Sequence, residues 1–442
     1  MSLPAALCER IRSSVQALQP FLVETRRDFH REAERGWMEF RTASRTAALL
    51  EEAGWRVGAG RAVVHEGSRM GLPPPGTLEE AFGRALERGA AQPFAEAMRG
   101  GFTGVVGTLE GSRPGPTIAV RVDIDANDGT EDRTPEHRPA REGFASVNPG
   151  AQHNCGHDGH TAMGLGLAKA LAGMREALRG RIKLVFQPAE EGARGALSMV
   201  NAGVLDDVDR FLAIHLGVIA PRTGQVVCGS YGFQATTKFD VRFVGRAAHA
   251  GLAPEEGRNA LLAAVTAVQN LYGISRHAKG DTRVNVGVLQ SGEGRNIIPA
   301  RALMKLETRG LTTELDAYMQ DRAMRILRAA ADMNGVEIEI DRVGHSGSAA
   351  SDPELIQVIR AAARETPGVA QIEDTHPYGA SDDAALMMAR VQARGGKAAY
   401  MIVGSDLADG HHTPRFDFDE AALPTGVHLL ATTILRLMYQ EE

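Results

Sequence analysis

The sequence predicts an α/β fold in which a larger domain, built on a mostly parallel sheet covered by helices, is interrupted by a small inserted domain. Three observations carry this. The runs GVVGTL, TIAVRVDID, RIKLVFQ and DRFLAIHLG are continuously apolar and alternate with the helix-like segments TAMGLGLAKALAGM and RGALSMVNAGVL. Strands apolar on both faces belong in a sheet covered on both sides. Fifty glycines against 5% aromatic residues in 442 suit helices packed closely on strands and many tight turns. After Gly232 the texture changes to the polar/apolar alternation of TTKFDVRFVG, the pattern of a strand with one wet face.

From Ala5 to Leu50, apolar residues at helical spacing (Ile11, Val15, Leu18, then Ala47 and Leu50) around the polar break DFHREAERGW predict two helices joined by a loop. A Gly/Pro-rich tract over 58–76 leads into a charged, Ala-rich helical segment near Leu78–Met98. This stretch carries no identifiable chemistry and fits a surface insertion or a cap over a pocket. The strand and helix runs above follow. Then come a strand, a helix (NALLAAVTAVQNLYGI), two strands (TRVNVGVLQ, ARALMKLETRG), a helix (ELDAYMQDRAMRILRAAADM) and a strand (VEIEIDRV), the βαββαβ order of a ferredoxin-like unit. The small-residue linker HSGSAAS, a helix, the strand AAYMIVG and a final helix complete the first domain. The expected division is 1–233 with 346–442 for the larger domain and 234–345 for the insert.

Acidic and basic side chains number 55 and 49, a formal charge of −6, so no basic surplus marks a nucleic-acid or anionic-membrane binder. No run of about eighteen apolar residues predicts a membrane span. The first twenty residues are interrupted early by Glu9, Arg10 and Arg12, unlike a signal peptide, so a cytoplasmic location is expected. Three scattered cysteines (Cys8, Cys155, Cys228) form no disulfide framework and fit a reducing compartment.

The densest chemical signal is His153-Asn154-Cys155-Gly156-His157-Asp158-Gly159-His160, just ahead of a Gly/Ala-rich helix. In an extended segment residues two apart share a face, so Cys155 and His157 can converge on one ion, and His153 with them if the strand stays regular. The same dyad could be a cysteine nucleophile with its base. Glu190 and Glu191 follow an apolar strand and Pro188, where one carboxylate can grip a metal and its neighbour act as general base. His215 closes another apolar strand, and His411-His412 follow AAYMIVG. Ligand-type residues at four strand ends, where open α/β sheets place their sites, favour a metal centre. Cys, His and Glu donors in this number exceed one four-coordinate ion, so two are expected.

The strings RRDFHREAE, AVRVDIDA, HNCGHDGHTAM, FQPAEEGARGA, AIHLG, GRAAHAG, NIIPARA and HHTPRFDFDE resemble, in order and spacing, the co-catalytic metallo-aminoacylases and amidohydrolases, which include hippurate hydrolases, indole-3-acetyl-amino acid hydrolases and carboxypeptidases. The resemblance implies that Cys155, His157, Glu191, His215 and His412 hold two divalent ions, manganese foremost with zinc or cobalt as alternatives. Cys155 stands where many relatives have a bridging Asp. His412 is preferred to His411 because the family ligand precedes its aromatic residue, here Phe416, by four positions. Glu190 would be the general base, Asp125 a carboxylate orienting a ligand, and His249 the oxyanion stabiliser, often reaching across a dimer. Asn296 and Arg309 match positions that bind a substrate carboxylate. The implied activity is hydrolysis of the amide of an N-acyl amino acid. Through SVNPG, VVCGSYGFQATTKFDV and DGHHTPRFDFDE the resemblance implies p-aminobenzoyl-glutamate as substrate, with hippurate or another N-acyl amino acid as the alternative. Implied assemblies are a homodimer or a pair with a B-type subunit, the insert serving as lid and dimerisation domain.

Overall fold

The structure, a computed structural model, describes residues 3–439. The chain divides into two compact units, one comprising Met1–Tyr231, Ala349–Tyr378 and Asp383–Glu442, the other Gly232–Ser348 and Gly379–Asp382. The larger unit holds an eight-stranded sheet whose spatial order is Arg56–Ala59, Val105–Glu110, Arg179–Gln187, Arg113–Asp123, Arg210–Leu216, Lys397–Val403, Gln225–Val227 and Gln371–Glu373. The third to sixth strands in this order are mutually parallel. They are the apolar runs RIKLVFQ, TIAVRVDID, DRFLAIHLG and AAYMIVG, with Ile118, Val120, Leu184, Phe186, Leu212, Ile214 and Met401 all buried, whereas the run GVVGTL forms the antiparallel second strand. Antiparallel pairings join the strands flanking these four at either side, and the outermost Gln371–Glu373 pairs in parallel with Gln225–Val227. The helices His157–Ala172 and Ala422–Tyr439 pack on the central strands and on each other, and Ala384–Ala393 packs on the Arg210–Leu216 and Lys397–Val403 strands. The register sets Asp123 beside Gln187 and Leu216 beside Val403, so the carboxyl ends of the parallel strands line up along one edge of the sheet.

Several local expectations are corrected. The amino-terminal segment forms three helices, Ala5–Ala17, Gln19–Arg31 and Phe40–Glu52. The chain turns at Leu18, where Pro20 sits in the first turn of the next helix and has no N–H to continue the previous one. The segment read as polar loop is helical as far as Arg31, where Phe29 and His30 are buried and His30 is held by Asp158 and Glu131. The insertion carries two helices, Pro75–Glu87 and Gln92–Met98, separated at Gly89, whose φ of 86° ends the first. The RGALSMVNAGVL segment yields only a short helix, Ala196–Asn201.

Within the second helix, Arg26 is fully buried and bonds Asp158 at 2.7 Å, Asp417 at 2.7 Å and Glu420 at 3.3 Å. Its guanidinium lies 4.4 Å from the Phe418 ring centroid. One turn later His30 bridges Asp158 at 2.9 Å and Glu131 at 2.8 Å. Burial works against charging this imidazole, but the two carboxylates outweigh burial and the nearby Arg26 and raise its pKa. This cluster ties the amino-terminal helices, the His157–Ala172 helix and the 417–420 segment together.

The smaller unit is a four-stranded antiparallel sheet in the order Thr282–Ser291, Arg301–Gly310, Ala235–Val244, Glu337–Ser346. The helices Ala260–Tyr272 and Thr313–Met333 pack against it over a core of Phe239, Val241, Phe243, Ala263, Met304 and Leu327. Among the described residues no helix is long and apolar enough to cross a membrane.

Replacing Arg26 by Met strands the Asp158, Asp417 and Glu420 carboxylates in the interior. The expected loss is about 3–5 kcal/mol, the usual cost of a buried charge left without its partner. Urea denaturation of both proteins measures it, and a loss under about 1 kcal/mol would mean that the carboxylates find other partners.

Candidate metal centre

The site grows from the carboxyl edge of the parallel strands. Asp125 lies two residues beyond the Arg113–Asp123 strand, and its carboxylate accepts the backbone N–H groups of Glu190 and Glu191, both at 3.0 Å. Its own carbonyl accepts Nδ1–H of His157 at 2.9 Å. A carbonyl only accepts, so Nδ1 of His157 carries the hydrogen and Nε2 presents a lone pair. That Nε2 is buried with no hydrogen-bond partner. His215 is oriented the same way, because Nδ1–H donates to the Leu216 carbonyl at 2.9 Å and leaves Nε2 3.6 Å from Cys155 Sγ. Cys155 and His157 converge not along an extended strand but around Gly156, whose φ of 96° turns the chain into the helix that His157 begins.

The donor atoms of Cys155, His157 and His215 lie within 4.8 Å of one another, and so do those of Cys155, Glu191 and His412. Cys155 belongs to both groups, which is the arrangement a thiolate bridging two ions requires. Two ligands on one tetrahedral ion, at ~2.3 Å for sulfur and ~2.0 Å for nitrogen, lie about 3.5 Å apart, in line with the Cys155–His215 spacing. His412 Nε2 is 3.4 Å from Glu191 Oε1. The buried, unpartnered Nε2 of His157 and the mixed sulfur, nitrogen and oxygen donors therefore fit divalent metal. Burial, then the Glu191 carboxylate, pushes the Cys155 thiol up, so the thiolate needs a cation to form here.

Two neighbouring imidazoles are set apart by their bonds. His160 accepts Leu216 N–H at Nε2 and donates Nδ1–H to Asp123 at 2.5 Å, so neither nitrogen is left for an ion. Asp123 is held in turn by Arg121 at 2.8 Å. His411 donates Nε2–H to the Leu216 carbonyl at 3.2 Å and lies outside both groups. His153 does not converge with Cys155, because the strand ends at Gln152. It is buried 6.1 Å from the ring of His30, neither ring nitrogen has a hydrogen-bond partner, and burial lowers its pKa to about 3.

Glu190 Oε2 is 4.0 Å from His157 Nε2, with its side chain 12% exposed. The loop that carries it is strained, since Ala189 and Ala193 have φ of 50° and 60°, and His412 itself has 65°. Such conformations cost on the order of 1–3 kcal/mol each and persist where the surroundings impose them. Gly195 closes the loop, as a Cβ there would lie 1.7 Å from the Pro188 carbonyl oxygen, and its N–H donates to the buried Asp383 at 3.1 Å. Asn127 was not singled out in the sequence. It donates to Glu191 Oε1 at 2.5 Å and to Asn154 Oδ1 at 2.7 Å, and its only sequence signal is its place two residues after Asp125. Arg194, equally silent, donates Nε–H to the Glu191 carbonyl at 2.7 Å and Nη1–H to the Gly71 carbonyl at 3.3 Å, tying the 58–102 insertion to this loop.

His249, Asn296 and Arg309 lie in the smaller unit. His249 pairs with Ile297 in an isolated antiparallel bridge, and Ala250 N–H donates to the Asn296 carbonyl, so His249 and Asn296 are neighbours on two exposed loops. Those loops flank Val244 and Arg301, at one end of the sheet, whereas Arg309 pairs with Thr236 and Arg283 at the other. Eight residues of strand separate the ends, roughly 25 Å. Arg309 forms a bidentate pair with Glu307 at 2.8 and 3.2 Å.

The family model for peptidase family M20/M25/M40 matches residues 119–436. The chain is 52% identical to an indole-3-acetyl-aspartic acid hydrolase of Enterobacter agglomerans, over 96% of this chain and 98% of that one. It is 51% identical to the A-type subunit of p-aminobenzoyl-glutamate hydrolase from Escherichia coli K12, over 97% and 98%. The crystal structure of an aminobenzoyl-glutamate utilization protein from Klebsiella pneumoniae superposes with a TM-score of 0.84 at 46% identity, covering 96% of this chain and 98% of that one.

If Cys155 joins two ions, Cys155→Ala lowers the metal content of the purified protein from two equivalents per chain to one or none. Elemental analysis after manganese loading reads this directly, and retention of two equivalents refutes the bridge.

Proposed function

Because the chain belongs to the peptidase family M20/M25/M40 and is a metal-dependent hydrolase of the amide bonds of N-acyl amino acids, we propose that its substrate is p-aminobenzoyl-glutamate, cleaved to p-aminobenzoate and glutamate as a step of folate breakdown in the cytoplasm. The observation carrying this is full-length similarity, at about one identity in two, to relatives named for two kindred substrates, each an aromatic acyl group on an acidic amino acid. Indole-3-acetyl-aspartate is the second reading, and its relative matches equally well.

Cys155, His157, Glu191, His215 and His412 would hold two divalent ions, manganese foremost. When bound, these supply the Lewis acidity that makes water nucleophilic near neutral pH and polarises the amide carbonyl. Glu190 takes a proton from the attacking water on its carboxylate. As the new C–O bond forms and the C–N bond breaks, it delivers that proton to the departing nitrogen. Asp125 keeps Glu190 and Glu191 aimed through their amides and keeps Nδ1 of His157 protonated. His249 donates to the carbonyl oxygen as it gains charge. Arg309 receives a substrate carboxylate in place of Glu307.

One small substrate cannot touch both Arg309 and the His249–Asn296 pair of a single chain, given the roughly 25 Å between the ends of that sheet. This supports a dimer in which one chain supplies His249 and Asn296 to its partner's substrate. The smaller unit has a suitable surface. Its helix Ala260–Tyr272 leaves Leu262 53% and Tyr272 56% exposed, and its Thr282–Ser291 strand is an open sheet edge. The partner is a second copy or a B-type subunit.

Three measurements test these proposals. Glu190→Ala should keep both metal equivalents while kcat falls about 10²–10⁴-fold, and wild-type turnover would remove Glu190 from the chemistry. Mixing Glu190→Ala with His249→Ala chains should restore part of the activity that each lacks alone; no restoration means that His249 serves its own chain or none. The purified chain with manganese should cleave p-aminobenzoyl-glutamate with a higher kcat/KM than indole-3-acetyl-aspartate or hippurate. A reversed order replaces the substrate, activity appearing only with a B-type partner makes this a dependent subunit, and activity surviving complete chelation favours a Cys155 nucleophile.

A further inference from the structure

Ala189, the residue before Glu190, is buried and holds a φ of 50°, a conformation that needs support from outside the loop. Its N–H donates to Glu39 Oε1 at 2.8 Å, while Glu39 Oε2 accepts the Thr103 hydroxyl at 2.6 Å. Glu39 is fully buried at the head of the Phe40–Glu52 helix, four residues from Arg35 and the turn in which Gly36 packs against Ala189. The next two amides, of Glu190 and Glu191, go to Asp125. Three consecutive N–H groups are thus received by two buried carboxylates.

We propose that Glu39 is a positioning residue for the hydrolysis. By holding the Ala189 amide it fixes the direction in which Glu190 leaves the loop, an inference that rests on Glu190 being the proton carrier. What the position needs is an acceptor oxygen at the right reach, tied to Thr103, rather than a negative charge. A carboxamide satisfies both contacts, with Oε1 accepting Ala189 N–H and the amino group donating to Thr103 Oγ1. An aspartate keeps the carboxyl group but is one methylene too short. A displacement of about 1 Å at a reacting group can cost about 10²-fold in rate.

The test compares Glu39→Gln with Glu39→Asp in the manganese-loaded protein, measuring kcat, KM, metal content and hydrogen exchange of the peptide spanning 188–191. Glu39→Gln should stay within about threefold of wild-type kcat with wild-type exchange. Glu39→Asp should lose about 30–100-fold in kcat, with KM within about twofold, both metal equivalents kept and faster exchange. An Asp variant as active as the Gln variant overturns the inference, as does equal loss in both. If the wild-type protein cleaves none of the three substrates, the proposed function fails, while the exchange rates still decide whether Glu39 holds the loop.

Discussion

The centre depends on one residue, Asp125, acting through both of its polar groups. Its carboxylate takes the amides of Glu190 and Glu191, and its carbonyl takes the Nδ1 hydrogen of His157. One short segment beyond a sheet strand therefore dictates the tautomer of one candidate ligand and the path of the backbone that carries another. A carboxylate receiving two backbone amides is well compensated for its burial, so the arrangement is stable as well as directive. The sheet makes this possible. Register in the parallel strands aligns their carboxyl ends, and only there can loops from distant parts of the sequence meet with their polar groups outside the apolar layer.

Around Asp125 the imidazoles are sorted by what their second nitrogen does. His157 and His215 spend Nδ1 on a carbonyl and keep Nε2. His160 spends both nitrogens, on Asp123 and Leu216, and becomes a strut between two strand ends. Leu216 is the hub, since its N–H supports His160 while its carbonyl serves His215 and His411. Backbone groups at and just past the ends of strands thus set which nitrogen of otherwise similar side chains stays free.

The sheet and the insert were legible in the sequence because their signals are periodic: apolar runs for buried parallel strands, alternation for the half-exposed ones. The candidate ligands Cys155, His157, Glu191, His215 and His412 stood out in the sequence because each lies in or after a strand or opens the helix after one, where a ligand-type residue is conspicuous. Asn127, Glu39 and Arg194 were not. Each acts on a backbone or side-chain atom far away in sequence, and a partner chosen by the path of a loop leaves no periodic trace. His153 illustrates the converse, a residue in the richest motif that the end of a strand at Gln152 sends elsewhere. The last turn of the second helix, with His30, was read as loop for a related reason, since polarity signals a loop only when the opposing charges lie outside the protein.

The Arg26 cluster bears on how the protein is made. Arg26 lies near the start of the chain, yet two of its three carboxylates, Asp417 and Glu420, lie near the end, close after His412. During translation the amino-terminal helices leave the ribosome long before those acids do, and an uncompensated guanidinium cannot yet be buried. Most of the smaller unit, from Gly232 to Ser348, leaves in the interval, and its remaining segment, Gly379–Asp382, also precedes those acids. Closure of the larger unit and delivery of the last histidine then become one late event. If His412 is a ligand, a nascent chain could gather Cys155, His157 and His215 before that event but would lack the donor for a second ion, and chain order alone would couple metal loading to the end of synthesis.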